Sequence, residues 1–203
     1  MKLRKIILLF ALLVAPVLIS LNTTDVSAAA YYLYGSNLKN SNGIAYQKFW
    51  LADNTTAWQR QNINDAMYRW NTSEGSNIVT PMNLSYTTDK NQSIMDFSYS
   101  KSWYDGSTTR TGEATFWVWG TKVNNINGIP YQQWSSSLIQ FGGYAYLNYG
   151  NLVKQTTFAH EIGHAVGLAH NDTINDTVMR SDILKVKKAG PYLGDLQGVN
   201  ALY

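Results

Sequence analysis

Residues 160–170 read His-Glu-Ile-Gly-His-Ala-Val-Gly-Leu-Ala-His, and they contain every histidine of the 203-residue chain. On an α-helix His160 and His164 lie one turn apart and point the same way, so their imidazoles can meet at a single tetrahedral metal. Phe158, Ile162, Ala165, Val166 and Ala169 form an apolar stripe on the other side. Phe158, Ile162 and Val166 each lie about 200° around the axis from a ligand histidine. One face of this helix is therefore expected to pack on a sheet while the other presents nitrogen to a cleft.

A helix running straight on would carry residue 170 away from a metal held by 160 and 164. Gly167 can adopt the left-handed conformation that ends a helix and turns the chain, which returns His170 as a third ligand. Three neutral imidazoles leave one position of a zinc ion for water, the open site that catalysis needs. Glu161, rotated about 100° from His160, lies beside the metal rather than on it. From there its carboxylate can accept a proton from zinc-bound water, whose pKa the metal lowers towards 7, and pass it to a leaving amine. Nucleophile, electrophile and proton shuttle are the three requirements of amide hydrolysis.

At these residues the sequence resembles the metzincins, zinc metallopeptidases with this extended histidine motif. The resemblance implies a methionine turn beneath the metal, and Met179 in Thr177-Val178-Met179 is its candidate. Within that clan the chain is most similar to the matrixins, and to a secreted bacterial member of them. Residues 194–203, Gly-Asp-Leu-Gln-Gly-Val-Asn-Ala-Leu-Tyr, look like the final matrixin helix. The implied fold is α+β: a five-stranded mixed twisted sheet with one antiparallel edge strand, an active-site helix, a methionine turn and a C-terminal helix. By order the edge is Thr111–Trp119, with Gly143–Asn148 as the following strand. A protein or peptide substrate would lie extended along that edge as an added strand. Residues 180–191 would wall the pocket beyond the cleaved bond.

The chain also departs from the family. It has no cysteine, so the propeptide cysteine that caps zinc in matrixins has no counterpart. Asn171 stands where animal matrixins have serine. No tyrosine sits two places after Met179, which argues against an additional tyrosine ligand. With every histidine used, a second histidine-bound zinc is not expected. Calcium is a secondary candidate at Asp172 and Asp176 or in the loop 124–128, residue types that are equally common in plain turns.

The elements that must position this motif are readable from pattern. Ala45–Leu51 is strand-like. Thr56 and Gln59 have capping-box spacing, and Ile63, Ala66, Met67 and Trp70 follow at helical intervals, up to a stop at Asn71–Gly75. Strand-like runs follow at Met82–Thr88, Ser93–Tyr99, Glu113–Trp119 and Gly143–Asn148. A helix over Leu152–Ala169 carries the motif, and a short one begins near Gly194.

Composition sets the outer bounds. Residues 1–30 read as a secretory signal: Lys2, Arg4 and Lys5, then the apolar run Ile6–Ile19, then small residues allowing cleavage after Ala28 or Ala30. The apolar run is shorter than the roughly 20 residues of a membrane span, so no membrane anchor is expected. Beyond residue 30, 13 basic and 12 acidic side chains leave a charge of +1, which argues against nucleic acid and anionic lipid as partners. Charged residues are 14 % of the chain, against about 25 % in an average soluble protein. Residues 31–203 show no linker or repeat and read as a single, monomeric, extracellular catalytic domain. The competing reading is a non-catalytic, zinc-stabilised binding protein that recognises glycans or a protein partner through Trp103, Tyr104, Trp117, Trp119, Tyr131 and Trp134. Glu161 separates the two, because a purely structural zinc has no use for a neighbouring proton acceptor. An amidase of cell-wall peptides would share the chemistry and differ in substrate.

Overall fold

In the computed structural model the described residues are 31–39, 43–100, 110–126 and 129–203. The signal segment 1–30, Trp103, Tyr104, Asn127 and Gly128 lie outside them. Strand β1 (Gln47–Leu51) leads into helix α1 (Ala57–Asn71). The capping box forms as the spacing predicts: the Gln59 N–H donates to Thr56 Oγ1 at 3.2 Å, and the Thr56 N–H to Gln59 Oε1 at 2.7 Å. Ile63, Ala66, Met67 and Trp70 are all buried.

Strands β2 (Leu84–Tyr86), β3 (Met95–Ser100) and β4 (Gly112–Val118) follow, then a two-residue β5 (Thr121–Lys122). A small ribbon pairs β6 (Asn125–Ile126) with β7 (Ile129–Pro130). β8 (Ser136–Gly142), α2 (Gly143–Asn148), α3 (Asn151–Val166) and α4 (Leu193–Leu202) complete the chain. Among the described residues no helix is long and apolar enough to cross a membrane.

The sheet runs β2-β1-β3-β8-β4-β5. β1, β2, β3 and β8 are mutually parallel, and β4 is antiparallel to β8. Two expectations are corrected here. The sheet has six strands rather than five, because Trp119 and Gly120 both take positive φ (49° and 82°) and fold a tight hairpin that pairs Thr121 and Lys122 with β4. β4 is antiparallel as expected, but β5 covers its far end at Trp117 and Val118.

The second correction concerns Gly143–Asn148, which is helix α2; the strand lies immediately before it, over Ser136–Gly142. Gly142 and Gly143 take φ of 146° and 78°, and a Cβ on Gly142 would run into the Ser100 carbonyl of the neighbouring β3. The glycine pair therefore ends the strand instead of starting one. In β8, Ser137, Ile139 and Phe141 point into the core.

α3 packs between α1 and the sheet, contacting β4 and β8. Two buried indoles bracket it. Trp70 Nε1–H donates to the Ala159 carbonyl and Trp134 Nε1–H to the Ala165 carbonyl, each at 3.0 Å. Each indole thus buries its rings and still pairs its N–H. Of the predicted apolar stripe, Phe158, Ile162, Ala165 and Val166 are fully buried, whereas Ala169 lies beyond the end of α3 and is half-buried.

Candidate metal centre

α3 holds His160 and His164 at i and i+4, and both side chains are buried. His160 Nδ1 faces the Val178 carbonyl at 2.8 Å, and His164 Nδ1 faces the Leu168 carbonyl at 2.8 Å. A carbonyl can only accept, so Nδ1 carries the proton in each ring and Nε2 is left with a free lone pair.

Gly167 ends the helix with φ 116° and ψ 7°, the predicted left-handed turn. Its N–H donates to the His164 carbonyl at 3.0 Å, and the Leu168 N–H donates to Gly163 at 2.9 Å. The chain then reverses and brings His170 Nε2 to 3.1 Å from His164 Nε2 and 3.3 Å from His160 Nε2. Around a tetrahedral ion with metal–nitrogen bonds of about 2.0–2.1 Å, two ligand nitrogens stand about 3.3–3.4 Å apart. The observed spacing fits such an ion. Among the described residues the three histidines form a group able to hold a metal, and an all-imidazole set suits zinc. Burial lowers all three imidazole pKa values, His160 to about 4 and His164 well below its ordinary value. The rings are thereby kept in their neutral, ligating form.

Glu161 is buried beside this triad. Burial pushes its carboxyl up to about 8 in the metal-free chain; Glu113 adds to the rise, while the Ala114 backbone N–H and Arg110 oppose it. Its Oε2 is buried with no hydrogen-bond partner. Gly112, at the head of β4, makes this approach possible. A Cβ there would stand 2.7 Å from Glu161 Cγ and Oε1 and 2.8 Å from Thr157 Cγ2.

Met179 is buried, and its sulfur occupies the space a Cβ of Gly163 would need. It thus packs on the helix backbone between the two ligand histidines. The turn 177–179 is anchored from α4. Asp195 accepts from Thr177 Oγ1 at 2.5 Å, Val178 N–H at 2.9 Å and Tyr192 N–H at 2.8 Å. The same Val178 presents its carbonyl to His160, so α4 positions a candidate metal ligand through two bonds.

The histidines and Glu161 line an open cleft of ≈400 Å³. Its rim includes Arg110 and Glu113, ion-paired at 2.8 Å, together with Asn125, Ser181 and Ile183. Ser181 and Ile183 lie in the segment expected to wall the pocket.

The secondary calcium candidates look different. Asp172 accepts from the N–H and Oγ of Ser181 at 3.1 and 2.6 Å, hydrogen bonds that hold its carboxyl below the usual range. Neither Asp172 nor Asp176 belongs to a metal-holding group among the described residues. Of the candidate glycan-binding aromatics, Trp134 is buried core, Trp117 is half-buried, and Trp119 and Tyr131 are exposed.

Sequence reasoning missed Tyr34 and Gly112, and the roles of Val178 and Asp195. Asp195 was visible as the acidic start of a helix, but its partners are set by tertiary contact.

No protein-family model and no curated protein matches this chain. Among solved structures, the crystal structure of myroilysin aligns with a TM-score of 0.49 and 11 % identity, over 85 % of this chain and 88 % of that one.

Proposed function

We propose that this chain is an exported zinc endopeptidase of the metzincin type, matrixin-like in plan, that hydrolyses internal peptide bonds of extended substrates. The observation that carries the reading is the convergence of three imidazole Nε2 atoms, that of His170 lying 3.1 and 3.3 Å from those of His164 and His160, beside a buried carboxyl group with an unpartnered oxygen, all facing one cleft. His160, His164 and His170 would hold a zinc ion, which would supply Lewis acidity to an attacking water and to the scissile carbonyl.

The protein's own groups do the rest. Val178 and Leu168 fix the ligand tautomers. Glu161 takes the proton of the attacking water at Oε2 and delivers it to the leaving amine nitrogen. β5 pairs with the far end of β4, at Trp117 and Val118, which leaves the outer edge near Gly112–Thr115 to align a peptide backbone as an added strand. Burial of Glu161 favours holding a proton between the two transfers. A scaffold role for the metal leaves this carboxylate and the open cleft without a purpose.

The test is Glu161→Ala. Zinc content and folding should match the parent, while hydrolysis of casein falls by at least about 100-fold. Casein cleavage at the parental rate by this variant would show the mechanism to be wrong.

A further inference from the structure

Residues 32–34 run antiparallel to 167–169, the turn that returns His170. The Ala169 N–H donates to the Tyr32 carbonyl at 2.9 Å, the Tyr34 N–H donates to the Gly167 carbonyl at 3.0 Å, and Leu33 and Leu168 form the bridge between them. This pairing places the Tyr34 side chain against the metal centre. Its hydroxyl lies 2.8 Å from His164 Nδ1. Its ring stacks on the imidazole with centroids 5.5 Å apart and planes 22° from parallel. Phe116 of β4 packs against the Tyr34 ring at 5.9 Å and 77°.

We propose that Tyr34 is a positioning residue of the metal centre, which fixes the orientation of His164 and through it the affinity for the ion. The inference rests on the reading of the histidine triad as a zinc site. The outer torsion of a histidine is broad and roughly two-fold, so one carbonyl opposite Nδ1 sets the tautomer but still allows the ring to rock. At His164 the single Nδ1 proton is shared between the Leu168 carbonyl and the Tyr34 hydroxyl oxygen, two acceptors that together define the ring plane. His160 has one such partner, the Val178 carbonyl. The segment 32–34 therefore does two jobs at once: its backbone steadies the turn carrying one ligand, and its tyrosine steadies another.

Tyr203 provides an internal control. Its hydroxyl donates to the Val166 carbonyl at 2.9 Å and accepts from the Leu38 N–H at 3.0 Å. It therefore ties the N-terminal stretch at Leu38 to the end of α3 at Val166, close to the same turn, without touching a ligand.

The experiment compares the parent chain, Tyr34→Phe and Tyr203→Phe. It reads zinc affinity by chelator competition, the visible spectrum of the cobalt(II)-loaded proteins, and the Tm of the metal-free proteins. Tyr34→Phe keeps the stacked ring and loses the hydroxyl. It should weaken zinc binding by about tenfold or more and change the cobalt spectrum. Its metal-free Tm should fall no further than that of Tyr203→Phe, which should keep parental zinc affinity. A Tyr34→Phe affinity within about twofold of the parent, or equal weakening by Tyr203→Phe, overturns the proposal and leaves the peptidase reading standing. A parent chain that binds no zinc overturns both.

Discussion

His160 and His164, on α3, and His170, on the coil beyond it, reach the same point by different means. The two helix imidazoles are buried, and each Nδ1 is pinned by a carbonyl, with Tyr34 added at His164. His170 is exposed, and among the described residues its ring makes no hydrogen bond except towards the other two histidines. Backbone features set its position: the left-handed Gly167, the pairing with residues 32–34, and the Asn171 N–H, which donates to the Met179 carbonyl at 2.7 Å. The helix thus supplies a rigid pair of candidate ligands and the turn a more adjustable third. Such a division would suit a centre that holds an ion and still faces an open cleft.

The largest effect that separates the two classes is loss of the ion itself. His164→Ala should abolish zinc binding and proteolysis together. His170→Ala should retain a weakened site on the helix pair, visible as residual zinc at millimolar metal in equilibrium dialysis. Equal, complete loss in both variants would break the distinction between rigid pair and adjustable third.

Next in size is Gly167→Ala. A Cβ there would meet Leu202 Cδ1 at 2.9 Å and the Ser36 carbonyl at 3.0 Å, on a backbone with φ 116°. The cost to folding should be about 1–3 kcal/mol by urea denaturation. Metal affinity should fall with it, because the turn that delivers His170 is what shifts.

The smallest effect is on pH dependence. Buried imidazoles that stay neutral bind fewer protons folded than unfolded, so their contribution to stability is present above the unfolded pKa and is lost as pH falls. The metal-free protein should lose stability from about pH 6.5, the ordinary imidazole value, down towards about 4, where folded His160 titrates. Thermal melts across that window should show the slope largely retained in His170→Ala and reduced in His160→Ala. A slope that follows His170 instead would reverse the assignment of the rigid pair.

What could be read from the chain divides along the same line. The helix pair, the glycine stop, the capping box at Thr56 and Gln59, and the buried stripe of α3 are local patterns. Periodicity and turn chemistry within about a dozen residues dictate them. The β8 strand was missed because Ser135–Ser137 reads as loop and the glycines at 142 and 143 look permissive until the neighbouring Ser100 carbonyl is in place. The two-residue β5 depends on a hairpin with tryptophan at a positive φ, a position where sequence favours asparagine or glycine. The supports of the metal centre were hidden for a different reason. Tyr34 meets His164 across 130 residues of sequence, and Asp195 reaches the 177–179 turn from another helix. No local pattern encodes such meetings, although each chemical group was in view.

X-ray absorption at the zinc edge of the purified, zinc-loaded protein tests the central claim most directly. Three imidazole nitrogens at about 2.0–2.1 Å with one further non-protein light atom are predicted. A shell closed by four protein ligands, or a chain that takes up no zinc, would contradict the account.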